Sequence, residues 1–438
     1  MHIELRAACR MRERLEYLAG SGTGAGARTA GAVPGENAAD VRPSRFIVSG
    51  ARRADPGAAD LGPGLQPGAQ APPTFHDLYG RGATCSGVAP GRVNLIGEHT
   101  DYNGGFVLPT VIPQRTTVEL APRGDRLVRA WSANIDEPPA RYHLGSEARR
   151  GAWIDYVQGV TWVLSEAGHA LCGADVRISS SVPLGSGLSS SAALEMALLR
   201  AFRAAFGLPI DDVPLARLGQ RAENEFVGAP CGIMDQMACS LAEDRVALFL
   251  DTRTLAFDRV ALPPGVELVV INSGVSHRVA GGDYATRRRE CEEAARMLGA
   301  PQLRDVPVAG LEQRIKGLPE MLRRRVRHVV TEDQRVLDAV EAMRACDVAR
   351  LGELFYASHA SMRDDYQVSI PEIDLLVDLA RKDPRVHGAR LTGGGFGGSI
   401  VALADEATGR DVGEHAAREY HARSGRTATV LVPPREQA

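Results

Sequence analysis

The chain has 438 residues, of which 44% are hydrophobic and 24% charged, so it can build about two to three domain cores. A formal net charge of −3 excludes the strong positive field expected of a protein that binds nucleic acid or an anionic membrane. No run approaches the ~20 apolar residues of a membrane span, and no signal peptide is recognised. Seven scattered cysteines without paired spacing favour a reducing compartment. We therefore expect small-molecule partners and a cytoplasmic location.

The chain divides by composition into a leader and a folded part. Residues 1–73 are interpreted as a low-complexity, disordered leader, because Gly, Ala, Pro and Asp dominate from Ala19 to Pro73 with little periodicity. A short arginine-rich piece, Met1 to Leu18, has a helical pattern. We expect an N-terminal domain over residues 74–265 and a C-terminal domain over residues 266–434.

From Cys85 onward, short apolar runs alternate with amphipathic helical patterns. The predicted strands are Val118–Ala121, Leu127–Trp131, Ala174–Ser179, Val246–Leu250, Glu267–Ile271, Ile400–Leu403 and Thr427–Val432. The predicted helices are Ala192–Phe206, Leu215–Val227, Tyr284–Leu298, Glu332–Ala345, Val348–Ser361, Pro371–Lys382 and Asp411–Arg423. The mixed order of strands and helices predicts an α+β fold and not a doubly wound sheet.

Leading into the first of these helices is a glycine- and serine-rich loop, Pro183-Leu-Gly-Ser-Gly-Leu-Ser-Ser-Ser-Ala-Ala-Leu-Glu195. Glycines allow backbone N–H groups to turn inward, and the helix N-terminus adds partial positive charge, so the loop is suited to bind phosphate. It is not a Walker A loop, because Lys316 and Lys382 are the only lysines and neither lies in a glycine-rich loop. A serine-capped glycine turn is the alternative interpretation.

Without a lysine, the charge of a bound phosphate must be balanced by Mg²⁺, arginine and backbone amides. Ser191 or Ser190, at the end of the loop, is placed to bind the magnesium ion. Glu223, on the predicted helix Leu215–Val227, is preferred over its neighbour Glu225 as the carboxylate ligand.

Polar residues are interleaved with apolar ones in Gly91-Arg-Val-Asn-Leu-Ile-Gly-Glu-His-Thr-Asp-Tyr-Asn-Gly-Gly-Phe-Val-Leu-Pro109. Carboxylates accept hydrogen bonds from paired sugar hydroxyls, and imidazole or amide groups donate or accept them, so the segment suits a polyhydroxylated ligand. A solvated turn explains the interleaved apolar residues poorly. The polar residues are Arg92, Glu98, His99, Asp101 and Asn103.

Two more segments are candidates for the site. Cys231-Gly-Ile-Met-Asp-Gln236 places the carboxylate of Asp235 among apolar neighbours, where it is suited to proton abstraction. Leu391-Thr-Gly-Gly-Gly-Phe-Gly-Gly-Ser399 is a second glycine-rich loop, which can approach a ligand or another loop closely.

Together these segments resemble the GHMP kinase superfamily of galacto-, homoserine, mevalonate and phosphomevalonate kinases, and most closely its galactokinase family. Gly91 to Tyr102 is similar to the galactokinase signature, Pro183–Glu195 to the ATP loop, and Leu391–Ser399 to the C-terminal glycine motif. Gly281-Gly-Asp-Tyr-Ala-Thr-Arg-Arg288 adds to the match. The resemblance covers about Pro73 to Pro434, and Ser399 stands where many members carry cysteine.

The resemblance implies a two-domain α+β fold with the active site in the cleft between the domains. The N-terminal, sugar- and ATP-binding domain would be related to domain 2 of ribosomal protein S5, and the C-terminal GHMP kinase domain would be ferredoxin-like. The protein would be a monomer. It would phosphorylate the anomeric hydroxyl of D-galactose with Mg-ATP, giving α-D-galactose 1-phosphate and ADP in the first committed step of galactose catabolism, the Leloir pathway.

The resemblance also implies residue roles. Asp235 would be the base, and Arg92 would stabilise the transferring phosphoryl group. Mg²⁺ would be bound by Ser191 and Glu223. The galactose ligands would be Glu98, His99, Thr100, Asp101, Gly232 and Tyr284. The ATP phosphates would be enclosed by Gly185, Ser186, Gly187, Leu188, Ser189, Ser190 and Ser191.

Two alternatives stay open at this point. Another sugar-1-kinase of the superfamily would act on arabinose, N-acetylgalactosamine or a uronic acid. A non-catalytic sensor would bind galactose and ATP and act on a transcription partner. Because a sensor is expected to carry a damaged catalytic loop, the presence of Ser189–Ala192, Arg92 and Asp235 favours the enzyme.

Overall fold

The computed structural model describes residues 71–275 and 282–434. The proposed leader up to residue 70, with the helical pattern of Met1 to Leu18, lies outside the described residues, as does Gly281. The helices are α1 Phe75–Tyr79, α2 Ile154–Glu166, α3 Ser190–Phe206, α4 Asp212–Arg221, α5 Met234–Leu241, α6 Asp283–Leu298, α7 Leu311–Ile315, α8 Glu320–Ala345, α9 Val348–Ser361, α10 Pro371–Arg381 and α11 Gly409–Ser424. The strands are β1 Cys85–Asn94, β2 Phe106–Val107, β3 Pro109–Pro122, β4 Leu127–Ser132, β5 Ala140–His143, β6 Ala174–Ser180, β7 Val246–Asp251, β8 Phe257–Ala261, β9 Val266–Asn272, β10 Val386–Thr392, β11 Ser399–Asp405 and β12 Thr429–Val432.

A five-stranded sheet with the order β1-β3-β6-β4-β5 forms the N-terminal part. Its neighbours are antiparallel except for β4 and β6, which are parallel. Along β3, Thr116, Val118 and Leu120 alternate inward because strand side chains repeat every two residues. The helix α3 packs its apolar face on β1 and β3, which fixes the glycine- and serine-rich loop at the N-terminal end of α3.

A second sheet, of four antiparallel strands in the order β10-β11-β9-β12, lies in the C-terminal part. Strand β9 is followed by helices, then by β10 and β11, then by α11 and β12, which is the ferredoxin-like arrangement that the resemblance implies. A small sheet, β2-β7-β8, completes the strands that the structure describes. The fold is therefore α+β, as predicted.

The proposed domain limits stay a prediction. The limit at residue 265 falls directly before β9. However, one buried core joins residues on both sides of it, including Leu108, Val336 and Leu403. The two parts therefore share apolar packing where they meet.

Two predicted helices have wrong limits. The predicted helix Glu332–Ala345 is the second half of α8, which begins at Glu320 and has 26 residues. Its arginine-rich first half hides the pattern because Arg325 is buried, with its Nε donating to Oε2 of Glu290 at 2.7 Å. The predicted helix Leu215–Val227 is α4 followed by a π-helical turn, Ala222–Val227, and such turns are frequent at functional sites.

Two further findings concern the residues that the structure describes. None of their helices is long and apolar enough to cross a membrane. Their six cysteines are free thiols, and only Cys239 and Cys291 among them are buried.

Candidate active site

An arginine, an aspartate and a serine from three distant segments meet at the start of α5. Arg92 lies near the end of β1 and is 4% exposed, and its Nε and Nη2 lie 2.9 and 2.7 Å from Oδ1 of Asp235. The hydroxyl of Ser189 donates to Oδ2 of Asp235 at 2.6 Å. Both carboxylate oxygens therefore have a donor, while a quarter of the Asp235 side chain stays accessible.

The glycine- and serine-rich loop is tied to Arg92 through its backbone. Nη1 of Arg92 donates to the carbonyl of Gly187 at 2.7 Å, and its backbone N–H donates to the carbonyl of Leu188 at 3.2 Å. The side chain of Leu188 is buried, so Leu188 offers only its backbone to a ligand. Ser189 precedes α3 with a left-handed conformation, φ 59°, which turns the chain sharply into the helix N-terminus. The geometry suits a phosphate held by N–H groups and the helix dipole.

The C-terminal glycine loop lies directly against the glycine- and serine-rich loop, Pro183–Glu195, which is called the phosphate loop below after its expected ligand. A Cβ at Gly393 would lie 2.7 Å from the carbonyl oxygen of Gly187, and φ there is +88°, so only glycine fits. The hydroxyl of Ser399, which ends the loop, donates to the carbonyl of Ser186 at 2.8 Å. Serine at position 399 therefore makes a specific contact with the phosphate loop. A small cavity lies between the two loops, lined by Gly185, Gly187, Tyr284, Thr392 and Gly394–Gly398.

The buried Glu98 and His99 hold this glycine loop from the other side. The N–H of Gly393 donates to Oε1 of Glu98 at 2.8 Å. Nε2 of His99 lies 3.2 Å from the carbonyl of Gly394, which can only accept, so Nε2 carries the proton. Nδ1 then accepts from the hydroxyl of Tyr102 at 2.9 Å. Burial lowers the pKa of His99 to about 3, in keeping with this neutral ring, and burial raises the pKa of Glu98.

Asp101 and Gly232 are in close contact. A Cβ at position 232 would lie 1.7 Å from Oδ2 of Asp101, so the absence of a side chain at Gly232 makes room for the carboxylate. Burial first, and the nearby charge of Asp235 second, raise the pKa of Asp101 to about 7. The ring of Tyr284 lies 5.5 Å from that of His99. The Thr100 hydroxyl is within hydrogen-bond distance of the Gly97 and Phe106 carbonyls, where it braces the turn.

Ser191 and Glu223 are brought together at the phosphate loop. Burial, the largest cause, raises the pKa of the Glu223 carboxyl to about 7, and the nearby Ser191 hydroxyl acts in the opposite direction. Within the described ranges no arginine or lysine pairs with Glu223, and no group of three or more His, Cys, Asp or Glu side chains could hold a metal. Mg²⁺ prefers oxygen donors and commonly keeps one or two protein ligands beside phosphate and water. An oxygen pair with an uncompensated buried carboxylate fits this ion.

Two residues that hold the polar segment Gly91–Pro109 in place were not predicted from the sequence. Arg390 is fully buried, and its Nη1 donates to the carbonyls of Asn94 and Leu95 at 3.0 and 2.8 Å and lies 3.6 Å from Glu98 Oε1. Oε1 of Glu332, on α8, accepts from the N–H of Gly97 at 3.0 Å. Arg390 stands one residue before the glycine segment, and an arginine between Ala389 and Leu391 was the signal for it.

The chain matches known protein families and solved structures. Residues 155–243 match the model for the GHMP kinases N-terminal domain, residues 339–422 that for the GHMP kinases C-terminal domain, and residues 73–122 the galactokinase galactose-binding signature. The crystal structure of Lactococcus lactis galactokinase complexed with galactose is 32% identical, with a TM-score of 0.78, and the match covers 81% of this chain and 95% of that one.

More distant structures share the fold. The mevalonate kinase of L. major in complex with R-mevalonate is 20% identical with a TM-score of 0.56, covering 81% of this chain and 98% of that one. Streptococcus pneumoniae phosphomevalonate kinase in complex with phosphomevalonate and AMPPNP is 15% identical with a TM-score of 0.57, covering 80% and 100%.

The chain therefore belongs to the GHMP kinase superfamily, whose two family domains and fold it carries. The signature at residues 73–122 is specific to one branch of the superfamily, and the 32% identical structure belongs to the same branch. Within the superfamily the chain is a galactokinase, an ATP-dependent sugar kinase.

Proposed function

We propose that this chain transfers the γ-phosphoryl group of ATP to the anomeric hydroxyl of D-galactose, giving α-D-galactose 1-phosphate and ADP. The observation that carries the proposal is the contact of Arg92 and Ser189 with the two oxygens of Asp235, beside a phosphate-binding loop. A loose phosphoryl transition state needs positioning and charge stabilisation more than covalent chemistry.

In this mechanism Asp235 accepts the proton of the attacking hydroxyl or orients that hydroxyl towards the phosphorus. Arg92, fixed between Asp235 and the Gly187 carbonyl, faces the charge that develops on the transferring group. The bond between the anomeric oxygen and phosphorus forms as the bond to the β,γ-bridging oxygen breaks, and ADP leaves with that oxygen.

The sugar is proposed to bind beside Asp235, where Glu98, His99, Asp101 and Tyr284 lie close together. Carboxylate oxygens accept from pairs of sugar hydroxyls, and the neutral His99 ring can donate or accept after giving up its contact with Gly394 or with Tyr102. Thr100 and the backbone at Gly232 are proposed to complete the site. Thr100 acts by bracing the turn that carries Glu98 and Asp101.

The proposed ATP site is the loop from Gly185 to Ser191, with backbone N–H groups around the phosphates and Ser190 at the first turn of α3. Ser191 and Glu223 would hold Mg²⁺. When bound, the ion neutralises charge on the phosphates and aligns them for in-line attack. The loop contains no lysine, and Arg92 supplies a cation in direct contact with it through the Gly187 carbonyl.

We propose a monomer that acts in the cytoplasm and binds neither nucleic acid nor a membrane. The near-neutral net charge of −3 and the family resemblance support this assignment. An activity limited to binding, as in a sensor, is less well supported, since Arg92, Asp235 and Ser189 are all present and in contact.

The roles are tested by the variant Asp235→Asn. We expect it to lose turnover in an ADP-release assay with Mg-ATP and galactose, while galactose binding stays measurable by calorimetry. Asp244→Asn, at an exposed position, is the matched control and keeps wild-type activity. Turnover retained by Asp235→Asn would refute the role given to Asp235.

A further inference from the structure

Two fully buried polar side chains next to the proposed magnesium site have no role in the mechanism above. Glu195 lies in the second turn of α3, which follows the phosphate loop. Gln236 lies in α5, directly after Asp235. Each ends one of the segments that sequence reasoning singled out, Pro183–Glu195 and Cys231–Gln236.

The side-chain amide of Gln236 bridges two carboxylates. Its Nε2 donates to Oε2 of Glu223 at 2.8 Å and to Oε2 of Glu195 at 3.0 Å. The thiol of Cys231 donates to the same oxygen of Glu223 at 3.4 Å. The Glu223 carboxylate is therefore held in one orientation by donors from the segment that carries Asp235.

Two side-chain oxygens of this bridge, Oε1 of Glu195 and Oε1 of Gln236, are buried without a hydrogen-bond partner among the described residues. Buried polar atoms without partners are rare, because they lose their hydration without replacement. Apolar side chains would avoid this cost, so the requirement for a polar bridge at this position comes from Glu223.

We propose that Glu195 and Gln236 are positioning residues that aim the Glu223 carboxylate at the magnesium ion of the bound nucleotide. The inference rests on the proposed role of Glu223. Mg²⁺ demands near-ideal octahedral geometry, so the direction of each ligand oxygen matters. Removal of a group that orients a metal ligand typically lowers metal affinity or activity by about 10- to 100-fold. The bridge also links the metal ligand to Asp235 through consecutive residues of α5.

The test measures how strongly Mg²⁺ improves the binding of ADP, by calorimetry with and without the ion, in the full chain. In Gln236→Met and Glu195→Leu we expect that improvement to fall by about 10- to 100-fold. The Mg²⁺ concentration for half-maximal rate should rise in parallel, while the galactose Kd stays unchanged. Glu195→Gln keeps an oxygen that can accept from Gln236, so we expect this conservative variant to retain the wild-type magnesium dependence.

A structural role alone would give a different result. Gln158→Met provides the matched control, because Gln158 is equally buried in α2 and bonded to Ala148 and Asp155. It should lower Tm without changing the effect of Mg²⁺ on ADP binding. If Glu195→Leu does not fold, Gln236→Met carries the test from the other side of the bridge.

The outcomes separate this inference from the proposed function. If Glu223→Ala leaves the magnesium dependence of ADP binding unchanged, the metal site itself is wrong and the inference falls with it. If Glu223→Ala abolishes the dependence while Gln236→Met and Glu195→Leu preserve it, the metal site stands and the positioning role is overturned.

Discussion

Asp101 combines a pKa of about 7 with a proposed contact to the sugar, and this predicts a pH-dependent affinity. Only the ionised carboxylate accepts from two hydroxyls, so galactose binds the ionised form. As the pH falls below 7 the free protein takes up a proton that binding must release. The galactose Kd should therefore rise about tenfold per pH unit below 7, until the pKa of the bound state is reached.

This prediction is checked by calorimetry without nucleotide, so that titration of the ATP phosphates does not contribute. Asp101→Asn should bind galactose more weakly at pH 8 and should show no change in Kd between pH 8 and 6. Asp235→Asn removes a negative charge that raises the pKa of Asp101, so its pH profile should shift to lower pH. A wild-type Kd that is flat from pH 8 to 5 would contradict the proposed contact.

Gly232 allows the Asp101 carboxylate to occupy its position. In Gly232→Ala the new methyl group would lie 1.7 Å from Oδ2 of Asp101 and push the carboxylate away. We expect the KM for galactose to rise at least tenfold, equivalent to about 1.4 kcal/mol, with little change in the KM for ATP. Steady-state kinetics with each substrate varied in turn measures both. Equal effects on the two constants would show that Gly232 acts on the whole fold.

The two glycine-rich loops form one unit, since Gly393 touches the backbone of Gly187. Gly393→Ala would place a methyl group 2.7 Å from the Gly187 carbonyl at a φ of +88°, so the phosphate loop must move. We expect a higher KM for ATP and a lower Tm. Gly425→Ala is the control, because its φ of +69° carries similar strain and no atom lies within 4 Å of the new Cβ. A control with the same rise in KM would show that backbone strain alone is responsible.

At the level of elements, the sequence predicts what is local. The strands β4, β6, β7 and β9 and the helix α9 were predicted within one residue at each end, because their apolar repeats are regular. The first half of α8 was missed because it carries buried charge, and α5 was missed because Asp235 and Gln236 interrupt its apolar face. Buried charge is stabilised by partners distant in sequence, which a local pattern does not reveal.

The candidate site was likewise predicted only in part, because some of its contacts join residues that are distant in sequence. The sequence motifs identified Arg92, Asp235 and the phosphate loop as candidates, and the structure brings them into contact. The support behind them could not be predicted, because Arg390 is 296 residues from Asn94, whose carbonyl accepts from it. Such a contact depends on how the two sheets meet and not on either sequence segment alone.

For the whole molecule, every residue given a role lies between Arg92 and Ser399, and the galactokinase signature match begins at residue 73. A chain that lacks residues 1–70 should therefore keep its kcat and its KM for both substrates. Circular dichroism and steady-state kinetics of the shortened and full chains check this. Loss of folding or of activity in the shortened chain would show that residues 1–70 have a structural role.

We expect this protein to phosphorylate the anomeric hydroxyl of galactose. The most direct measurement is the release of ADP by the purified chain with Mg-ATP and a panel containing galactose, arabinose, N-acetylgalactosamine and a uronic acid, with ³¹P NMR of the product. We expect galactose to be turned over most efficiently and to give the α-1-phosphate. Binding of galactose and ATP without turnover of any sugar would contradict the claim and favour a sensor.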